Sequence, residues 1–219
     1  MKRIWRDNGL SIALFALFIC CWVGQALTGW RDEVEELKAH GESPPSLVQY
    51  LGSGSFAEAT TENWESEFLQ MFAYVLFTAF LYQRGSAESK SPDETAEVDR
   101  DPRDSSRADA PAWVKAGGWR LRLYENSLSL AFLALFIASF VSHALSGAAA
   151  YNEEQRLHGS PTVTVGEFLL HARFWFESFQ NWQSEFLAIG SMVVLSIFLR
   201  QRGSPESKPV DTPHRETGS

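Results

Sequence analysis

"LSLAFLALFIASFVSHALSGAAA", residues 128–150, contains no Asp, Glu, Lys or Arg. A helix that crosses the ~30 Å hydrocarbon layer of a bilayer needs about 20 mostly apolar residues. This stretch meets that requirement, and so does the similar stretch "LSIALFALFICCWVGQAL", residues 10–27. Length and composition therefore predict two membrane-spanning helices.

The two apolar stretches belong to an internal duplication. Sliding the chain along itself gives matches at one offset of about 118 positions, with about 34 of roughly 83 aligned positions identical. "NWESEFL" (63–69) pairs with "NWQSEFL" (181–187), and "QRGSAESK" (83–90) pairs with "QRGSPESK" (201–208). We interpret residues 1–90 and 123–208 as two copies of one unit. Residues 91–122, rich in Asp, Arg, Ser and Pro, are predicted to form a polar, disordered cytoplasmic linker, and residues 209–219 a disordered tail.

The N-terminus resembles a secretory signal, because the basic stretch "MKRIWR" precedes an apolar run. An equivalent run recurs at residues 127–150, where it could not be removed as a leader. We therefore expect the first segment to remain in the protein as an anchor.

The second apolar segment of each copy is shorter. Phe68–Tyr82 and Phe186–Leu199 hold about 14–15 apolar residues, a length at which a re-entrant segment or a soluble core helix is a competing interpretation. Counting from the preceding tryptophans, Trp64 and Trp182, restores about 20 residues. The four predicted spans cover approximately residues 9–30, 64–84, 127–150 and 180–201.

The distribution of basic residues decides between these interpretations. If all four segments cross, 15 of the 19 Lys and Arg lie on the side of the termini and linker, and the opposite side holds only Arg31, Lys38, Arg156 and Arg173. This is the positive-inside asymmetry, and it disappears if the shorter segments do not cross. The prediction is an all-α membrane protein with four transmembrane helices, arranged as two tandem parallel-repeat helical hairpins. Both termini are expected in the cytoplasm.

The NWxSEF motif then falls at the outer ends of the second and fourth spans. Trp64 and Trp182 suit the membrane interface, and Glu67 and Glu185 would face the positive end of a helix dipole. Alternatively, the two carboxylates line an outward-facing vestibule that binds cations or protons. His143, with Gln25 at the equivalent position, is a further binding candidate, because polar groups within a span are costly. An interhelical hydrogen bond explains His143 equally well.

Local signals also predict the connecting segments. Gly41 and Gly159 should end the extensions of the first and third spans, and Gly85 and Gly203 should be left-handed C-caps of the second and fourth. Capping boxes are predicted at Ser46–Gln49 and Thr164–Glu167. "EFLLHARFWFESF" (167–179) is expected to form a short helix on the outer membrane surface or over the bundle.

Several kinds of chemistry are not indicated. The chain shows no metal-ligand spacing, phosphate-binding glycine loop or placeable catalytic triad, so no metal, cofactor or catalytic residue is predicted. The spans lack a central charge, which disfavours a charge-coupled pump. Adjacent Cys20 and Cys21 are interpreted as small membrane-buried residues. A net charge of −8 argues against a nucleic-acid partner.

The repeated N-x-L-S-x-A…ALFI, N-W-x-S-E-F and Q-R-G-S-x-E-S-K motifs resemble a family of uncharacterised bacterial integral membrane proteins. The resemblance covers nearly the whole chain except the linker and tail. It implies a bacterial inner membrane, and no ligand or partner. We expect a multi-pass membrane protein with a structural or interaction role. Its expected partners are the lipid bilayer and a protein bound through the outer loops. The alternatives are a small transporter or channel with a path between the repeat units and, third, a membrane-embedded enzyme.

Overall fold

The computed structural model describes residues 2–218 and is built from helices. No β-strand occurs in this part of the chain, so the prediction of an all-α protein is confirmed. Two 3₁₀ turns, Glu97–Asp99 and Pro102–Asp104, lie within the predicted linker. The α-helices are α1 (Lys2–Ala39), α2 (Leu47–Leu51), α3 (Gly54–Phe80), α4 (Ala112–Ala116), α5 (Gly118–Glu125), α6 (Ser127–Leu157), α7 (Val165–Phe168) and α8 (Ala172–Phe198).

Helices α1 and α6 are long and apolar enough to cross a membrane, judged by length and composition. No residue in the most apolar window of α1 is buried, and the side chain of Phe15, for example, is 70% exposed. Helices α3 and α8 contain 27 residues each and are about 40 Å long at the α-helical rise. Among the described residues, only α1 and α6 meet the composition criterion.

The long helices end where the local signals predict. Helix α1 ends at Ala39 and α6 at Leu157, and the glycines two positions later, Gly41 and Gly159, have φ values of +76° and +64°. A residue without a Cβ adopts this left-handed conformation at little steric cost. The predicted helix ends are therefore confirmed.

Both predicted capping boxes are present. The backbone N–H of Gln49 donates to Ser46 Oγ (3.4 Å) and the backbone N–H of Ser46 donates to Gln49 Oε1 (2.8 Å). In α7, Glu167 N–H donates to Thr164 Oγ1 (3.2 Å) and Thr164 N–H to Glu167 Oε2 (2.7 Å). These reciprocal bonds satisfy backbone donors that the first turn of a helix leaves without intrahelical partners.

The chain divides into two compact units. Unit 1 comprises Met1–Thr60 with Ser142–Leu170, and unit 2 comprises Thr61–Val141 with His171–Ser219. Each unit contains parts of both sequence copies.

In unit 1, two short helices place a buried aromatic ring on a glycine of the preceding long helix. Tyr50 of α2 packs on Gly29 of α1, where an added Cβ would overlap the tyrosine hydroxyl. Phe168 of α7 packs on Gly147 of α6, where an added Cβ would lie 2.7 Å from Phe168 Cε1. The two pairs occupy equivalent positions in the duplication. Glycine is required at both because the ring occupies the space of a side chain.

In unit 2, aromatic side chains join the first half of α6 to α8. The Phe140 ring lies 5.3 Å from that of the buried Phe174, and the Phe136 ring lies 6.3 Å from that of Trp182, measured between centroids. Both pairs meet edge to face, a favourable geometry for aromatic rings.

This packing corrects the prediction for residues 167–179. Helix α7 ends at Phe168, and residues 172–179 form the first two turns of α8 rather than a separate helix. His171 caps α8 by accepting the Arg173 N–H at Nδ1 (3.4 Å). Because Phe174 is fully buried against α6, tertiary packing continues α8 through this aromatic segment.

The two QRGSxESK segments, both in unit 2, form the same loop. The Gln83 N–H donates to Ser89 Oγ (2.8 Å), and the Gln201 N–H donates to Ser207 Oγ (2.9 Å). Gly85 and Gly203 have φ values of +86° and +87°, so their predicted left-handed conformation is confirmed. Their predicted role as helix C-caps is wrong, since α3 and α8 end earlier, at Phe80 and Phe198.

Candidate functional site

Buried ionisable side chains are the candidates for function, because a charge removed from water needs a partner or a purpose. Glu58 and His143 of unit 1 and Glu65 and Lys208 of unit 2 are buried. Of these residues, only His143 was a candidate from the sequence.

Glu58 and His143 form an acid–base pair inside unit 1. Glu58 lies in the second turn of α3, and His143 lies on α6 and is 0% exposed. A carboxylate oxygen of Glu58 and a ring nitrogen of His143 lie within 4.8 Å of each other. Gly147, one turn after His143, makes room for this arrangement, since a Cβ there would lie 3.0 Å from Glu58 Oε1.

This pair has the chemistry of a proton or cation site. An imidazole nitrogen and a carboxylate oxygen can each take up a proton or bind a cation. Imidazole and carboxylate are also ligands of zinc and of other divalent ions. The chemistry of the two side chains therefore suits either a proton or a divalent cation.

The two NWxSEF motifs contact each other in unit 2 through Glu65, at a position where the second copy has Gln183. Trp182 Nε1–H donates to Glu65 Oε1 at 2.9 Å, and Glu65 is fully buried. Nearby, the side-chain amide of Gln70 donates to the backbone oxygen of Glu185 at 2.8 Å. These bonds cross-link α3 to α8 and place Trp182, a predicted binding candidate, in a structural contact.

The two repeated carboxylates lie on different helices of unit 2. Glu67 is exposed on α3, and Glu185 is half-buried on α8. Trp64, on α3, is half-buried. Gln25 is also half-buried, on α1, whereas its equivalent His143 is fully buried. The equivalent positions 25 and 143 thus occupy different environments.

Sequence reasoning missed Glu58 and Glu65 because it searched for residues shared by the two copies. The equivalent positions hold Phe176 and Gln183. The signal that could have found them is the opposite one: an ionisable residue in one copy where the other copy has an apolar or neutral residue.

The last residue of each QRGSxESK segment in unit 2 is a lysine that donates hydrogen bonds to backbone oxygens. Lys208 is 1% exposed, and its ammonium donates to the backbone oxygens of Gly85 (2.5 Å), Glu216 (2.8 Å) and His214 (3.1 Å). Burial lowers the pKa of Lys208 below its ordinary value. Its repeat equivalent, Lys90, donates to the backbone oxygen of Ala79 at 3.0 Å. Both lysines therefore act as internal hydrogen-bond donors that hold the chain after a long helix.

Residues 1–219 match the model of a family described as a domain of unknown function (DUF6766). The chain belongs to this family. The expected membership in an uncharacterised family is thereby confirmed, and the description of the family names no activity, ligand or partner. Searches of curated proteins and of solved structures found no match.

Proposed function

We propose that this member of the family is a four-span protein of the bacterial inner membrane, with a structural or interaction role rather than an enzymatic one. The observation that supports this most strongly is α1, whose most apolar window contains no buried residue. At roughly 25 cal/mol per Å² of apolar surface, leaving such a helix in water is unfavourable, and lipid removes the cost.

The lengths of α3 and α8 support their assignment as the second and fourth spans. About 40 Å of helix exceeds the ~30 Å hydrocarbon thickness, so the polar NWxSEF ends can lie at the interface. If α1, α3, α6 and α8 all cross, the split of 15 against 4 basic residues supports a cytoplasmic position for both termini and the linker.

A structural role fits the way the buried polar groups are used. Glu65 accepts a hydrogen bond that joins α3 to α8, and Lys208 donates to backbone carbonyls of two loop segments. On the proposed outer side, the side chains of Leu170, Phe176 and Phe179 are 86%, 67% and 57% exposed. These apolar groups fit contact with the bilayer surface or with a protein partner. The acidic chain is not proposed to bind nucleic acid.

Reporter fusions test the proposed topology. An alkaline phosphatase fused after residue 105 should be inactive, and one fused after residue 160 should be active, because only the periplasm permits its disulfides to form. A green fluorescent protein fusion at the same sites should give the opposite pattern. Phosphatase activity after residue 105 would overturn the four-span arrangement.

The Glu58–His143 pair favours a second candidate function, a small proton or cation transporter or channel. In the proposed topology this pair lies near the outer ends of the second and third spans. Purified protein in liposomes should then dissipate an imposed pH gradient, and Glu58→Gln and His143→Gln should each slow the leak. Gln25 already occupies the equivalent of position 143, so glutamine is a native residue type for this site. A leak that both variants leave unchanged would exclude a path through the pair.

Cysteine labelling tests whether Glu67 and Glu185 line a water-filled path. In a background with Cys20 and Cys21 replaced by serine, single cysteines at positions 67 and 185 should react with a membrane-impermeant maleimide added outside. A cysteine at Leu187, an exposed apolar position on α8, is the matched control and should stay unlabelled in lipid. Equal inertness at all three positions would contradict the path.

A further inference from the structure

His40 and His158 occupy equivalent positions in the duplication and lie side by side in unit 1. Their ring centroids are 6.2 Å apart, and their planes meet at 69°. Each histidine directly follows the last residue of a long helix, α1 or α6, and both side chains are exposed. The duplication alone does not require this proximity, since it results from the folding of unit 1.

The hydrogen bonds of the two rings select the same tautomer. His40 Nδ1 lies 2.9 Å from the backbone oxygen of Glu36, and His158 Nδ1 lies 2.9 Å from that of Glu154. A carbonyl oxygen only accepts, so each Nδ1 must carry the hydrogen. In the neutral ring the lone pair is therefore on Nε2. A histidine that binds a metal commonly donates its other ring N–H to a carbonyl in this way.

The two rings are close enough to bind one ion. With metal–nitrogen distances of about 2.0–2.1 Å, two imidazoles on one ion have centroids roughly 5 Å apart at the tetrahedral angle and roughly 6.4 Å apart when they lie opposite each other. The observed separation is 6.2 Å, so a tetrahedral ion would draw the two exposed rings about 1 Å closer together. The carbonyl ends of α1 and α6 also carry partial negative charge, which favours a cation beside the last turn.

We propose that His40 and His158 bind a divalent transition-metal ion of borderline softness, such as Zn²⁺, through their Nε2 atoms. Water would complete the coordination, because both rings are exposed. Binding would tie the C-terminal end of α1 to that of α6 within unit 1. The proposal does not rest on the membrane topology, since the two rings are neighbours whichever side of a bilayer they face.

Titration of the purified full-length protein in detergent with ZnCl₂, against a chromogenic chelator, tests the site. We expect one Zn²⁺ at this site in each chain, and a loss of its affinity on the order of 10²-fold in His40→Gln and in His158→Gln, because each removes one arm of a chelate. His214→Gln is the matched control. His214 is also exposed, and its Nδ1 lies 3.1 Å from the backbone oxygen of Ile197. The His214 ring packs on Phe198 rather than on another histidine. Unchanged affinity in both test variants would overturn the proposal.

A measurement on the wild-type chain covers the case in which a variant fails to fold. Diethyl pyrocarbonate modifies accessible imidazoles, and peptide mass spectrometry locates the modified rings. Zn²⁺ should protect His40 and His158 while His171 and His214 continue to react. Absence of protection at positions 40 and 158, or equal protection at all four, would contradict the assigned site. Neither measurement depends on the orientation of the chain in a membrane.

Discussion

Replacing Gly54 by alanine should destabilise unit 1. Gly54 is the first residue of α3, and it lies directly against α6. An added Cβ would lie 2.8 Å from the backbone nitrogen of Ala150, 3.0 Å from Ala149 Cβ and 3.1 Å from the backbone oxygen of Ser146. Two of these three atoms are backbone, so the clash can be relieved only by moving a helix.

The size of the effect follows from two opposing contributions. Overpacking of a closely packed contact costs typically about 1–3 kcal/mol. Glycine to alanine in a helix contributes roughly 0.5–1 kcal/mol of stabilisation by itself. Gly190→Ala is the matched control, because Gly190 lies inside α8 and a Cβ added there would meet no atom within 4 Å. This variant therefore gains the stabilisation from alanine without the cost of overpacking. The free energies of unfolding of the two variants should therefore differ by about 1–3 kcal/mol, with Gly54→Ala the less stable.

Unfolding in mild detergent, followed by tryptophan fluorescence, measures this difference. The second copy already has Ala172 at the position equivalent to Gly54, where it begins α8. Alanine is thus acceptable at the start of this helix, and any loss at position 54 reports the contact with α6. A Gly54→Ala variant as stable as Gly190→Ala would refute the close approach.

Two further predictions concern side chains that form hydrogen bonds. Trp182→Phe removes the hydrogen-bond donor to the buried Glu65 carboxylate and should lower the free energy of unfolding by about 1–3 kcal/mol. The control Trp119→Phe changes an exposed ring and should leave the free energy of unfolding nearly unchanged in the same assay. The backbone and hydroxyl bonds from Thr164 lower the pKa of Glu167 below its ordinary 4.5. The stability of the wild type relative to Glu167→Gln should therefore be constant above about pH 4.5 and fall as the pH drops through the lowered pKa. Parallel pH profiles of these two proteins would contradict the capping role of the carboxylate.

Local features of the fold could be read from the sequence because their causes lie within a few residues. The left-handed glycines at positions 41 and 159 end helices whatever surrounds them. The capping boxes at Ser46 and Thr164 need only a hydroxyl and a glutamine or glutamate three residues later. The same local rules failed after α3, where the helix ends at Phe80 before the glycine, because a loop closed by Ser89 begins first.

The candidate site could be predicted only in part. His143 was recognised because a histidine in an apolar segment is unusual. Its partner Glu58 lies in a polar stretch of α3, and nothing in its neighbours marks it as buried. Likewise Glu65 and Glu67 belong to one motif, yet only Glu65 is buried, because α-helical geometry turns the two side chains to different faces.

By itself, the sequence determined the helical class, two apolar segments long enough to cross a bilayer and the family. It also determined the ends of α1 and α6 and the two capping boxes, since composition, periodicity and capping act over short distances. Only the tertiary structure decided which polar side chains are buried and which meet. The pairing of Glu58 with His143 and of Glu65 with Trp182 joins residues far apart in the chain. Burial depends on which helix faces pack together, and that information is spread over the whole chain rather than over any single motif.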